Sequence, residues 1–357
     1  MMSLHGKRIL VTGGTGSMGK RLVRRLLTGE LGVPSKIIIL SRDEAKQHVM
    51  RLSYMDRKTT TEEVIYENFS RTISFRIGDV RSYADVCSAM READVVVNAA
   101  AMKQVPTCEY FPEQAVATNC LGAANIVQAI KDHGYPVEAV VGVSTDKACK
   151  PVNAMGMTKA LQERIFISAN VTVPRTRFVC IRYGNVLASR GSVVPLFLDQ
   201  IAHGGPVTVT VPEMTRFLLS LDTAVDTLLA ALRSARAGET LVPRAPAATV
   251  MDVAKALVGD RDVPIKVTGI RPGEKMDEIM ISDEEARRSI ARGDYYAILP
   301  MLPELIRDED QRAPAALQKE FSSADQVLDL EGTVALLRKH NLMPDQAVVK
   351  DGGELLV

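Results

Sequence analysis

The stretch GVSTDKACKPVNAMGMTKALQER, residues 142–164, holds the side chains best suited to moving protons. Thr145, Asp146 and Lys147 follow an apolar run that ends at Val143, and Lys159 comes a helical stretch later. A carboxyl and an amine side by side can serve one substrate as acid and base, provided burial or a neighbouring cation lowers the lysine's proton affinity. Three polar groups directly after a buried strand are hard to explain as packing, because ligands of open α/β sheets bind at strand carboxyl ends. The plain alternative is a helix cap, a role that Ser, Thr and Asp commonly fill.

A second cluster, VTGGTGSMGK, spans residues 11–20 and places Gly13, Gly16 and Gly19 three apart between a strand and an amphipathic helix. Glycines there let the backbone approach a pyrophosphate seated on the helix N-terminus. Thr15, Ser17 and Met18 fill out this cofactor loop. The next strand ends IIILSRDEAKQ, with Ser41, Arg42, Asp43 and Lys46 where the adenosine ribose would lie. Arg42 offers a planar fork for a 2′-phosphate, which favours NADP. Asp43 would instead suit NAD, and Arg42 could simply face solvent. Asp79 and Val80 close another strand at the adenine position, and Ala99, Ala100 and Ala101 follow the next one.

These groups need a frame, and the sequence supplies one. The runs RILVTG, KIIILSRD, ISFRIGDV, DVVVNAA, VEAVVGVSTDK and RFVCIRYGNV alternate with helical patterns up to residue 187. Near-continuous Val/Ile strands separated by helices predict a doubly wound parallel α/β sheet of the Rossmann type. Beyond residue 187 the rhythm breaks into a short β-like PVTVTV, an amphipathic LSLDTAVDTLLAALRSA, and expected helices in ATVMDVAKALVG and SDEEARRSIAR. The expected layout is a nucleotide-binding domain over 1–186, joined by 218–242. A smaller substrate domain would take 187–217 and 243–302, and 303–357 would form a peripheral tail with a helix near 330–340. Residues 55–69 are polar and expected on the surface.

Composition excludes several classes. Among 357 residues, 44 basic and 43 acidic side chains give no global pull toward nucleic acid or a charged membrane. The five cysteines lack paired spacing and the five histidines form no ligand-like pair, so neither a disulfide framework nor a metal site is expected. No apolar run approaches the ~18 residues of a membrane span, and a cytoplasmic protein is expected.

Taken together, the motifs VTGGTGSMGK, SRDEAKQ, NAAAMKQVPTCEYFP, STDKA, RYGNVLASRGSVVPLF, EMTRF and IRPGEK resemble the extended short-chain dehydrogenase/reductases. More narrowly, the chain is similar to the bacterial UDP-N-acetylglucosamine 4,6-dehydratases of surface-polysaccharide biosynthesis, over about residues 6–300. The resemblance implies Asn119 and Lys159 beside the cofactor and Lys103 at the cleft. It implies Asn185 near the sugar diphosphate, Arg190, Ser192 and Arg216 around the nucleotide, Arg271 on a phosphate and Glu274 on the uridine ribose. Subunits would pair through helices flanking the sheet, giving a dimer or larger assembly.

The reaction implied begins with oxidation at C4, which makes the C5 hydrogen acidic. Water is then lost across C5 and C6, and the hydride returns to C6. Lys147 is expected as the C5 base, Asp146 as the acid for the leaving hydroxyl, and Lys159 as a holder of the nicotinamide ribose. In the familiar pattern a tyrosine four residues before that lysine takes the C4 hydroxyl proton; here the position is Met155. A thioether has no acidic proton. Thr145 is the expected substitute, relaying the proton directly or through water. By resemblance, Met at this position goes with retention at C5, although much of the remaining chain is closer to the inverting branch. The competing readings are a C4 epimerase on the same fold and a catalytically silent nucleotide-sugar binder.

Overall fold

The computed structural model describes residues 2–55, 69, 71–187, 189, 191–346, 348–350 and 354–356. Arg190 and nearly all of the polar 55–69 excursion therefore lie outside the described residues.

Six strand–helix repeats open the chain: β1 (Arg8–Thr12), β2 (Lys36–Ser41), β3 (Ile73–Ile77), β4 (Val95–Asn98), β5 (Ala139–Val143) and β6 (Arg177–Ile181). Shorter strands follow: β7 (Asn185–Val186), β8 (Val207–Val209), β9 (Thr215–Leu219), β10 (Thr240–Pro243), β11 (Ala247–Thr249) and β12 (Ile265–Val267). Then come β13 (Ile279–Ile281), β14 (Ser289–Arg292), β15 (Tyr295–Ile298), β16 (Phe321–Ser322) and β17 (Val327–Leu328).

The large sheet has nine strands in the order β14-β15-β10-β6-β5-β4-β1-β2-β3. All pairings from β10 to β3 are parallel, and the chain reverses direction across the sheet between β1 and β4. That reversal opens the crevice where an α/β sheet binds its ligand. The central strands are apolar because both faces are covered. The helices Ser17–Leu27 and Leu221–Ser234 pack Leu22, Leu26, Val225 and Leu228 on one face. On the other face Met90, Ile126, Ile130 and Phe166 come from three further helices. Arg21 grips Asp222 with a two-bonded fork of 2.7 and 2.6 Å, locking the phosphate-loop helix to Leu221–Ser234.

A second core lies around the small sheet β17-β11-β9-β7. It buries Phe197, Leu218, Leu257 and Leu337. Three sequence expectations fail here. First, SDEEARRSIAR is helical only over Asp283–Ala286, where Ser282 and Glu285 form a capping box. Its second half is β14, because Gly293 at φ 61° turns the chain back along β15. Pairing at the sheet edge overrides the helical propensity of the run. Second, β14 and β15 extend the large sheet, so residues 289–298 do not belong with the smaller unit. Third, residues 321–343 are no peripheral tail. Within them β16 pairs with β13, β17 joins the small sheet, and the helix Leu330–Lys339 sends Leu337 into the second core.

Candidate active site

The Gly-rich turn lies against the end of β4. Gly13 sits at φ 67°, and a Cβ there would fall 2.8 Å from the Ala100 nitrogen. Gly19 is packed as tightly, with Gly14 Cα 2.6 Å from where its Cβ would be. Thr12 Oγ1 donates to Asn98 Oδ1 at 2.7 Å and accepts from the Ala100 N–H at 3.1 Å, tying β1 to β4. The Thr15 and Ser41 hydroxyls meet at 3.0 Å and join the loop to β2. Gly16 is the N-cap of Ser17–Leu27 and, lacking a side chain, places none over the helix N-terminus. A glycine cradle before an uncapped helix fits a dinucleotide pyrophosphate.

At the end of β2, Arg42 is largely exposed, 3.6 Å from Asp79. Asp79 is held mainly by Arg81, through Nε at 2.8 Å. Burial would raise its pKa, but Arg81 and then Arg42 outweigh this and keep it low. Asp43 is bound to its neighbour Lys46 at 2.7 Å, so these two expected cofactor contacts engage each other. Val80 is buried and its carbonyl accepts from Asn125. Ala99 and Ala100 line the loop opposite Gly13, Ala101 and Lys103 are exposed, and Ser17 and Met18 open the helix.

Beside this crevice the backbone widens into a π-helical turn, Val116–Leu121, of a kind often found at functional sites. It carries Asn119, whose amide bonds Met102 O at 3.1 Å and Thr158 Oγ1 at 3.0 Å. Lys159 is buried, with Nζ donating to Val143 O at 2.5 Å and Gln162 Oε1 at 2.6 Å. Burial pulls it down to about 8, Glu163 opposing. Met155 packs with Cys108, Ala115 and the partly buried Met102, so it is a packing residue and no member of the proton machinery.

The acid–base couple is tighter than the sequence suggests. Thr145 Oγ1 donates to Asp146 Oδ1 at 2.8 Å, and Lys147 Nζ donates to the same oxygen at 3.1 Å. Asn185 Oδ1 accepts from Lys147 at 3.2 Å, and Glu278 Oε1 stands 3.1 Å from Nζ. Asp146 is fully enclosed, so Thr145 and Lys147, both part-exposed, are the members of the couple that can meet a ligand. Burial works against the Lys147 ammonium, but Asp146 and Glu278 outweigh it and its pKa rises. The condition for a resting neutral base, a lowered proton affinity, is not met: Asp146 and Glu278 favour the cation. Glu278 is the residue that sequence reasoning missed. Its only signal was the second of two adjacent acids, Asp277 and Glu278, preceding the apolar strand β13.

Arg216 and Ser192 are both engaged within the chain. Arg216 is buried and spends its guanidinium on Thr215 O, Met276 O and Lys275 O, with Nε 4.0 Å from Glu278. It holds the segment behind Lys147 and has little left for a nucleotide. The Ser192 hydroxyl donates to Leu187 O and Ser189 O and fixes the local turn. Arg271 and Glu274 bracket a Pro-Gly turn, with Gly273 at φ 79°. Asn153 Nδ2 donates to Gly273 O at 2.8 Å, and Lys275 Nζ donates to Cys149 O at 2.8 Å, so the turn is fastened to the catalytic segment. Beneath it, Arg182 is sandwiched between Glu163 and Glu285, both bonded at under 3.2 Å, bracing β6 against the helix Ala154–Thr172.

The fold is a Rossmann-type α/β sheet with a crevice at its topological switch point and a bonded carboxyl–amine couple at the end of β5. The family described as polysaccharide biosynthesis protein matches residues 9–300, and the chain belongs to it. A relative from Rickettsia bellii, named UDP-glucose 4-epimerase, is 43% identical over 297 residues, 82% of each chain. The structure of Pen from Bacillus thuringiensis superposes with a TM-score of 0.84 at 31% identity, covering 96% of this chain and 100% of that one. DesIV from Streptomyces venezuelae, a dTDP-glucose 4,6-dehydratase solved with NAD and TYD, is similar in fold. Its TM-score is 0.64 at 21% identity, over 75% of this chain and 86% of that one. Among the described residues, no helix is long and apolar enough to cross a membrane.

Proposed function

We propose that the chain dehydrates UDP-N-acetylglucosamine to a UDP-4-keto-6-deoxy sugar. The observation that carries this reading is the bonded Thr145–Asp146–Lys147 couple at the carboxyl end of β5. Elimination across C5 and C6 needs an acid and a base beyond the group that takes the C4 hydroxyl proton, whereas epimerisation at C4 needs only the last. A nicotinamide dinucleotide bound at the Gly13–Gly19 loop would accept the hydride from C4 and deliver it to C6. Gly13, Gly16 and the first turn of Ser17–Leu27 would hold its pyrophosphate, and Lys159 its nicotinamide ribose. The exposed Arg42 fork favours NADP, with NAD the alternative.

Thr145 answers the missing phenol. Its hydroxyl already points its proton at Asp146, so it can take the C4 hydroxyl proton while passing its own to Oδ1. Asp146, now neutral, returns a proton by the same route to the departing C6 oxygen. Lys147 takes the C5 hydrogen as a neutral amine and gives a proton from its solvent-exchanged ammonium back to C5. Arg271 and Glu274 would engage the phosphate and ribose of the nucleotide, with Asn185 close to both sugar and Lys147. Exposed Leu121, Met157 and Leu161 on the flanking helices suit pairing of subunits.

The C4 epimerase reading is favoured by the name of the Rickettsia bellii relative. It leaves Lys147 without a C5 hydrogen to remove. Incubation with UDP-N-acetylglucosamine in deuterated water separates the two. Dehydration gives a product lacking water and carrying deuterium at C5; epimerisation gives the unlabelled C4 isomer. No product from protein loaded with NADP or NAD would reject both readings. Full dehydration by Lys147→Ala would reject the base assignment.

A further inference from the structure

Lys147 has three N–H bonds and three acceptors around them, on Asp146, Asn185 and Glu278. A cation so surrounded has no lone pair to offer, and one neighbour must take a proton before the amine can act as a base. Asn185 cannot, because an amide oxygen is too weakly basic. Asp146 Oδ1 already receives the Thr145 hydroxyl. Glu278 remains. Its Oε2 is buried without a hydrogen-bond partner, an arrangement that a neutral acid tolerates far better than a carboxylate. Asp146 Oδ2 is orphaned too, but Asp146 Oδ1 takes two hydrogen bonds that favour its carboxylate, against the one from Lys147 at Glu278 Oε1.

We propose that Glu278 is a positioning residue that stores the Lys147 proton, exchanging it across the 3.1 Å contact. An N–H bond of Lys147 breaks as an O–H bond forms on Glu278 Oε1. Ammonium and carboxylate become amine and carboxylic acid, and the charge of the cluster does not change. The amine then takes the C5 hydrogen and returns a solvent-exchanged proton, while Glu278 keeps its own throughout. The groups facing Glu278 are Lys147, Asp146 and Arg216, with Ser323 Oγ accepting its backbone N–H. Burial, and then the Asp146 charge, push Glu278 above the ordinary carboxyl range against the two cations, which suits a proton store.

The role in turnover rests on the dehydratase reading, but the proton coupling does not. Two measurements on Glu278→Gln keep them apart. The first follows the labelling of Lys147 by an amine-reactive reagent against pH, read by mass spectrometry. Losing the carboxylate should move the midpoint down by at least about one pH unit; an unmoved midpoint overturns the proposal. The second is the pH profile of dehydration. Wild type should show a plateau near neutrality, because the proton moves inside the cluster. Glu278→Gln must release it to water, so kcat should rise about tenfold per pH unit over the same range, with KM within about twofold. A plateau in the variant overturns the proposal, since a purely structural glutamate would lower the rate without changing the shape. Glu278→Asp should restore the plateau, and it replaces the Gln variant in the labelling measurement if that one does not fold, with a partial midpoint shift expected and none overturning. A shifted midpoint in a protein without dehydratase activity would reject the function and leave the coupling standing.

Discussion

Gly156 lies so close to Lys147 that a Cβ on it would fall 2.2 Å from the lysine's carbonyl oxygen. The first turn of the helix Ala154–Thr172 thus rests on the backbone of the acid–base turn, and only glycine permits the approach. Gly156→Ala must push the two apart. It is expected to lower kcat at least tenfold, since a misplacement of about 1 Å at a catalytic group can cost more than that. Gly134→Ala, where no atom lies within 4 Å of the added carbon and the cost is backbone strain at φ 58°, is the control for destabilisation away from the site. Steady-state kinetics on both checks it.

Restoring the familiar tyrosine should not help. Met155 is 4% exposed, packed with Cys108 and Ala115 beside the partly buried Met102. Met155→Tyr is expected to cost about 1–3 kcal/mol in urea unfolding through overpacking, with no gain in turnover.

Thr145 carries the opposite expectation. Thr145→Val keeps the shape and removes the relay, so kcat should fall about 100-fold or more, and Thr145→Ser should retain most of it. Equal rates for the Val and Ser variants would remove Thr145 from the mechanism.

Acid stability should follow Glu285. Its burial is overcome by Arg182, which holds its pKa at about 2, below the ordinary 4.5. A depressed carboxyl stabilises the fold above its unfolded value and loses that contribution as pH falls toward its folded one. The window is therefore pH 4.5 down to 2, worth about 3 kcal/mol. Glu285→Gln should be less stable at neutral pH by a similar amount and flatter in acid, as read from urea midpoints.

Lys159 sets an alkaline limit. Burial holds it at about 8 against an ordinary 10.5, so the native protein gives up this proton first. The cation is present below pH 8 and lost above. Dinucleotide affinity should fall by up to about tenfold per pH unit beyond that point. The fold, relieved of a buried charge, should gain stability from the same group between pH 8 and 10.5. Titration calorimetry across this range reads the first effect, and Lys159→Met should flatten it.

How much was legible in the sequence follows from how far apart the partners lie along the chain. The Val/Ile runs of β1, β4 and β5 report burial on both faces, and the Gly13–Gly19 spacing reports close backbone approach; both are local signals. Glu278 gains meaning only when the segment before β13 folds back onto β5, a contact that no spacing encodes. Arg216 looks like a ligand for phosphate until the Met276 and Lys275 carbonyls are seen to occupy it. The β14–β15 hairpin was hidden because SDEEARRSIAR has helical composition, while its pairing depends on Gly293 and on a free edge at β10.

The Pro-Gly turn at residues 271–274 is stitched to Asn153, while Lys275 and Met276 are stitched to Cys149 and Arg216. Whatever grips this handle at the far end of a substrate pulls on the same few bonds that set the reacting groups. Shortened substrates lacking the nucleotide base should therefore bind yet react sluggishly, because their grip energy never reaches the ring.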